Sequence, residues 1–152
     1  MADVTFFRKR RRREAGSAAI EFGLLAPFLV LLVVGTVEIG SSVYQAMQAQ
    51  NAAEAGAVYA SKYGFDTAGI ANSVINATGA ASIAANPAPT SFCGCPTAAG
   101  ISEMDCSSAC AEGGAPGQYL RINAQITHAP LVSLSGLVTP VTISGQAIVR
   151  IY

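Results

Sequence analysis

Four cysteines, Cys93, Cys95, Cys106 and Cys110, are the side chains in this sequence best suited to covalent chemistry. They fall in a turn-rich stretch, residues 79–117, punctuated by Gly79, Asn86-Pro87, Pro89, Pro96, Gly113-Gly114 and Pro116-Gly117. In an oxidising compartment four such thiols form two disulfides. Three pairings are open. Cys93 and Cys95, one residue apart, place both sulfurs on one face of a strand. Cys106 and Cys110, at i and i+4, share one face of a helical turn. Those spacings favour bridges between the two pairs over bridges within them. The rival chemistry is a four-thiolate zinc site in a membrane-tethered metal or redox protein. Cys-x-Cys is tighter than the roughly two to four intervening residues of structural zinc sites. No metal ligand set and no cofactor is therefore assigned.

Catalytic groupings are sparse. The single histidine, His128, stands beside Ala129-Pro130 and reads as an exposed or hydrogen-bonded loop residue. Glu103 and Asp105 read as solvated loop charges. No Ser-His-Asp order, Gly-rich phosphate loop or His/Cys metal spacing occurs. The sequence predicts a protein that is not an enzyme.

The carboxylates of Glu21 and Glu38 ask for more explanation, because they sit inside an apolar run, GSAAIEFGLLAPFLVLLVVGTVEIG, from Gly16 to Gly40. From Ser17 to Val43 the run is about 27 residues, or ~40 Å of helix, enough to cross a ~30 Å hydrocarbon layer with some tilt. A spanning segment must satisfy its own backbone, so it is a helix. Arg8-Lys9-Arg10-Arg11-Arg12-Arg13 stands just before it, and the next base is Lys62. That asymmetry predicts a cytoplasmic N-terminus and an external C-terminal part, which puts the cysteines in an oxidising compartment. The run is longer than the ~7–15 apolar residues of a secretory signal peptide.

Glu38 falls at the outer edge of the span, where a side chain can snorkel. Glu21 has a more specific use. If the chain is cut after Gly16, Ser17 carries a free ammonium and Glu21 becomes the fifth residue. A carboxylate there compensates the ammonium of its own chain or of a neighbouring subunit, and favours the positive end of the helix dipole.

A basic leader, Gly16, four small or apolar residues and Glu21-Phe22 opening a hydrophobic helix together resemble the processing site of type IV prepilins. The Glu-Phe form, Pro27, the aliphatic run and Gly35-x-x-Glu38-x-Gly40 are more narrowly similar to TadE-like pseudopilins of the Flp/Tad branch. The resemblance implies cleavage between Gly16 and Ser17 by a prepilin peptidase, with Glu21 as the assembly carboxylate beside Phe22. It implies a minor pseudopilin or assembly component of an adhesive pilus. The partners would be other pilins or pseudopilins, inner-membrane assembly proteins and the lipid bilayer. The alternative within the same apparatus is an uncleaved single-pass anchor holding a periplasmic structural domain.

The remainder supports that outline. The formal charge is zero, yet six of nine bases lie in the leader. After Gly16, Lys62, Arg121 and Arg150 face seven acids, a mildly acidic balance that argues against nucleic-acid binding. The expected order is a leader (1–16), a transmembrane helix (17–43), an extracytoplasmic helical region (44–78) and a cysteine-containing β-rich domain (79–152). Residues 41–63 have helix propensity and a weak apolar stripe of Tyr44, Met47, Ala57, Val58 and the later aromatics. Gly64 is a stop, and Asp66 caps a second helix from Thr67 to about Asn76. Residues 118–126 and 141–152 alternate as strands, with Thr90–Cys95 as a third. The apolar 131–139 linker packs under the sheet or near the membrane. The fold class is α+β, a long membrane helix running into a small domain with a short antiparallel sheet, as in pilins.

Overall fold

The computed structural model describes residues 4–80, 82–130 and 139–151, with side chains from residue 16 onward. The chain divides into two compact units, Met1–Gly40 and Ser41–Tyr152. Helix α1, Val4–Tyr63, passes through the division. The expected α+β arrangement of a long N-terminal helix and a small antiparallel sheet is what the chain adopts.

From Gly16 to Gly40 the first unit's part of α1 carries apolar side chains all round, interrupted by Glu21 and Glu38. Ile20, Phe22, Leu24, Phe28, Leu31 and Ile39 are all about two-thirds exposed among the described residues. Pro27 lies within the helix. Among the described residues one helical stretch, Gly16–Tyr63, is long and apolar enough to cross a membrane, with a mean hydropathy of 2.3 over its best window.

In the second unit α1 ends at Tyr63, where Gly64 takes φ +77° and its N–H reaches the Ala60 carbonyl at 2.9 Å. Helix α2, Thr67–Asn76, starts from Asp66, whose Oδ1 accepts the Ala68 N–H at 3.2 Å. The other carboxylate oxygen accepts the Tyr59 hydroxyl at 3.1 Å, so one aspartate caps α2 and ties it to α1.

Five strands follow: β1 (Ile83–Ala84), β2 (Thr90–Thr97), β3 (Gly100–Met104), β4 (Gly117–His128) and β5 (Val141–Ile151). β4 is the spine. It pairs antiparallel with β5 along one edge, and with β2 and the short β1 along the other, while β3 hangs on β2. The two long strands and the third lie where the period-two pattern put them. β1 and β3 were not foreseen, since two and five residues among turns carry little periodicity. Pro96 is tolerated because it lies past Gly94, the last β2 residue paired with β4. Residues 131–138 of the linker lie outside the described residues.

The core is built on small residues. Ala49, Ala52, Ala53 and Ala60 of α1 are fully buried with Ile70 and Val74 of α2 and Leu120, Ile122, Ala124 and Ile126 of β4. The expected stripe holds only in part: Ala57 and Tyr59 pack against this core, whereas Tyr44, Met47 and Val58 are more than half exposed. Hydrophobicity scoring favours large side chains, whereas close approach of a helix to a sheet selects small ones. A Cβ on Gly145 of β5 would stand 2.5 Å from the Ala49 carbonyl oxygen, so the helix backbone lies directly on that strand.

Candidate functional site

The residues expected to matter fall into two separate places. Gly16, Ser17, Glu21 and Phe22 occupy adjoining turns at the start of the apolar helix, and Glu38 lies near the end of that unit. The four cysteines belong to the second unit.

At the helix start, the Ser17 hydroxyl donates to Glu21 Oε1 at 3.4 Å, a contact set by the i, i+4 spacing. The carboxylate of Glu21 thus lies one turn from Ser17, within reach of a charge placed there. Phe22 is 67% exposed, and a Cβ on Gly16, Gly23, Gly35 or Gly40 would touch nothing within 4 Å. These small positions leave the backbone open to another helix. The Thr36 hydroxyl returns to the Val33 carbonyl at 2.8 Å and so satisfies itself within the helix.

In the second unit Cys93 is bridged to Cys106 and Cys95 to Cys110, with Cα atoms 5.1 and 5.8 Å apart. Neighbouring β2 cysteines point to one face and staple the segment after β3 in two places. Cys106 and Cys110 do not share a helical turn. They sit in turns, where the Ser108 N–H bonds the Asp105 carbonyl and the Cys110 N–H bonds the Gly114 carbonyl, each at 3.0 Å. The glycines at 113 and 114 take φ +88° and +95° and turn the chain back so that the Gly114 carbonyl meets the Cys110 N–H. With every thiol bridged, no thiolate remains for a metal.

Beside the Cys95–Cys110 bridge opens a cleft of about 310 Å³, floored by Tyr119 and bordered by Met104, Glu112 and Arg150. On the same sheet, the Arg121 guanidinium lies 4.6 Å above the Phe92 ring and pairs with Glu103 at 2.8 Å. Glu103 is therefore a paired residue of β3, not a loop charge. Its partner is eighteen residues away, a separation that sequence spacing does not reveal.

His128 is hydrogen-bonded at a strand end, as expected, but it is buried and belongs to the strand itself rather than to a loop. It is the last residue of β4, 8% exposed, with Nδ1 2.9 Å from Gln45 Oε1 of α1. A second glutamine, Gln50, bonds the backbone of Gln146 in β5 through both ends of its amide, at 3.2 Å each. Nothing in the sequence marks these two glutamines among the Ala- and Gln-rich residues of α1.

Comparison with curated proteins and comparison with solved structures each return no match. Residues 16–58 match a family model described as TadE-like protein. The matched segment starts at the glycine of the expected processing site and runs through the apolar helix into the buried Ala-rich face. The likeness read from Gly16, Glu21-Phe22, Pro27 and Gly35-x-x-Glu38-x-Gly40 is thus borne out as a TadE-like family match over residues 16–58.

Proposed function

We propose that this chain is a minor pseudopilin of a Tad-type pilus, anchored by a single pass through the inner membrane. The family match implies a component associated with a Tad pilus, and one N-terminal apolar helix suggests single-pass anchoring. The observation that carries the finer reading is the helix start. A sheath of exposed apolar side chains begins immediately after Gly16, and its first carboxylate lies one turn from Ser17. Left in water such a sheath is costly, at roughly 25 cal/mol per Å² of apolar surface. Lipid or neighbouring apolar helices remove that cost.

In this reading a prepilin peptidase cuts after Gly16, and Ser17 becomes the N-terminus. Glu21 then neutralises an ammonium at the edge of the membrane, its own or a neighbour's, where an unpaired charge is unfavourable, though less so than the ~2.5–3.5 kcal/mol it costs at mid-bilayer. The basic leader holds the N-terminus in the cytoplasm. The disulfide-stapled unit stands outside, where oxidation is possible. The Gly23, Gly35 and Gly40 positions admit other pilins or assembly proteins.

The test is topology with assembly. Protease added to spheroplasts should digest the part from Ser41 to Tyr152 and spare the leader, and a strain lacking the chain should lose its pili. A protected C-terminal part, or unchanged pili in that strain, overturns the proposal.

A further inference from the structure

Among the described residues β5 pairs with β4 alone, in an unbroken register from Gln118↔Ile151 to His128↔Val141. The free edge of such a strand is a template for another strand. Natural edges are blunted by Pro, Lys, a bulge or a covering element. β5 has no Pro, Lys or bulge, and Arg150 is its one charge.

What meets this edge is a side chain of α1. Gln50 Oε1 accepts the Gln146 N–H, and Gln50 Nε2 donates to the Gln146 carbonyl, both at 3.2 Å. Only an oxygen can meet the Gln146 N–H, which fixes the orientation of the amide. A second Nε2 hydrogen goes to Glu54 Oε1, one turn on, at 3.2 Å. The amide makes the pair of bonds that a residue of a neighbouring strand would make. Because Gln146 turns both backbone groups away from β4, strand alternation turns those of Thr142, Ser144, Ile148 and Arg150 the same way.

We propose that Gln50 is an edge lock, an autoinhibitory contact that keeps β5 from pairing with the same edge of a second copy. The stand-in is an amide, so the class of partner is an extended main chain. Two β5 edges running antiparallel about Gln146 would set Arg150 opposite Thr142 and Ile148 opposite Ser144, and no like charges meet. Gln50 occupies the centre of that pairing. With its amide in place the outward row is split in two, and neither half offers more than two adjacent outward residues.

The full chain in detergent micelles tests this with Gln50→Ala, which frees both Gln146 groups. While the Gln50→Ala chain is dilute enough to stay monomeric, protection of the Gln146 amide from hydrogen exchange should fall roughly five- to tenfold, the equivalent of one hydrogen bond, and it should return as the chains associate and a partner strand takes up that N–H. The amides of Gly145 and Ala147, which face β4, should keep their protection. Light scattering should show a larger species than wild type. Adding Ile148→Pro, which removes an outward donor and spares the β4 ladder, should restore the wild-type size. Should that proline unfold the sheet, Ile148→Lys serves in its place. A Gln50→Ala chain of unchanged size, or association that survives the edge substitution in a folded chain, overturns the proposal.

Discussion

Gly56 of α1 lies against Ile122 of β4 with no room for a side chain: a Cβ there would stand 2.9 Å from Ile122 Cγ2 and 2.8 Å from Val74 Cγ2. Both neighbours are β-branched residues, fully buried and stiff at χ1, so neither can swing aside. Gly56→Ala gains ~0.5–1 kcal/mol of helix propensity. It also overpacks the core at two contacts, at about 1–3 kcal/mol. The packing term should win. We expect net destabilisation, read as a lower thermal midpoint of the full chain in micelles. An unchanged or higher midpoint would mean that α1 lies further from the sheet.

Asp66 combines two tasks, capping α2 and accepting the Tyr59 hydroxyl. Asp66→Ala should cost about 0.5–2 kcal/mol through the lost cap, with a further contribution from the phenol bond. Tyr59→Phe removes only the phenol bond and should cost less. Thermal unfolding of the two variants orders them, and equal losses would show that the cap contributes nothing.

The disulfides join cysteines 13 and 15 positions apart in the sequence. Chain-entropy reasoning assigns ~3 kcal/mol to a loop of about 15 residues. Replacing Cys95 and Cys110 together by Ser should lower stability by about that amount. Hydrogen exchange should rise at residues 105–116 while the β4–β5 ladder stays protected. Uniform loss of protection would mean that the bridge supports the whole sheet.

How much of this was legible follows from the range of each interaction. Thr67–Asn76 with its Asp66 cap is a local pattern, and the sequence placed it correctly. β4 and β5 were visible because period two persists over 12 and 11 residues. The apolar helix was visible from the length of its apolar run, and its family likeness from residues spaced within that run, Gly16, Glu21-Phe22, Pro27 and Gly35-x-x-Glu38-x-Gly40. The core face of α1 was placed only in part, because Ala49, Ala52, Ala53 and Gly56 are selected by closeness to β4, β5 and α2 rather than by hydrophobicity. Gln50–Gln146 and Arg121–Glu103 are tertiary bonds whose partners no local rule supplies.

Glu21 separates anchoring from assembly in the proposed function. Glu21→Gln keeps the size and hydrogen-bonding capacity of the side chain and removes its charge. The variant should remain in the membrane in normal amounts, while pilus assembly falls at least tenfold by immunoblot of sheared fibres. Normal piliation would leave the carboxylate without its assigned task.

The central claim is processing between Gly16 and Ser17, which intact mass and N-terminal sequence of the membrane-purified chain address directly. The account predicts an N-terminus at Ser17 in cells that contain prepilin peptidase and an unprocessed chain in cells that lack it. A chain starting at Met1 or Ala2 in both strains would contradict it, and the protein would then be an uncleaved anchor carrying a disulfide-bonded domain.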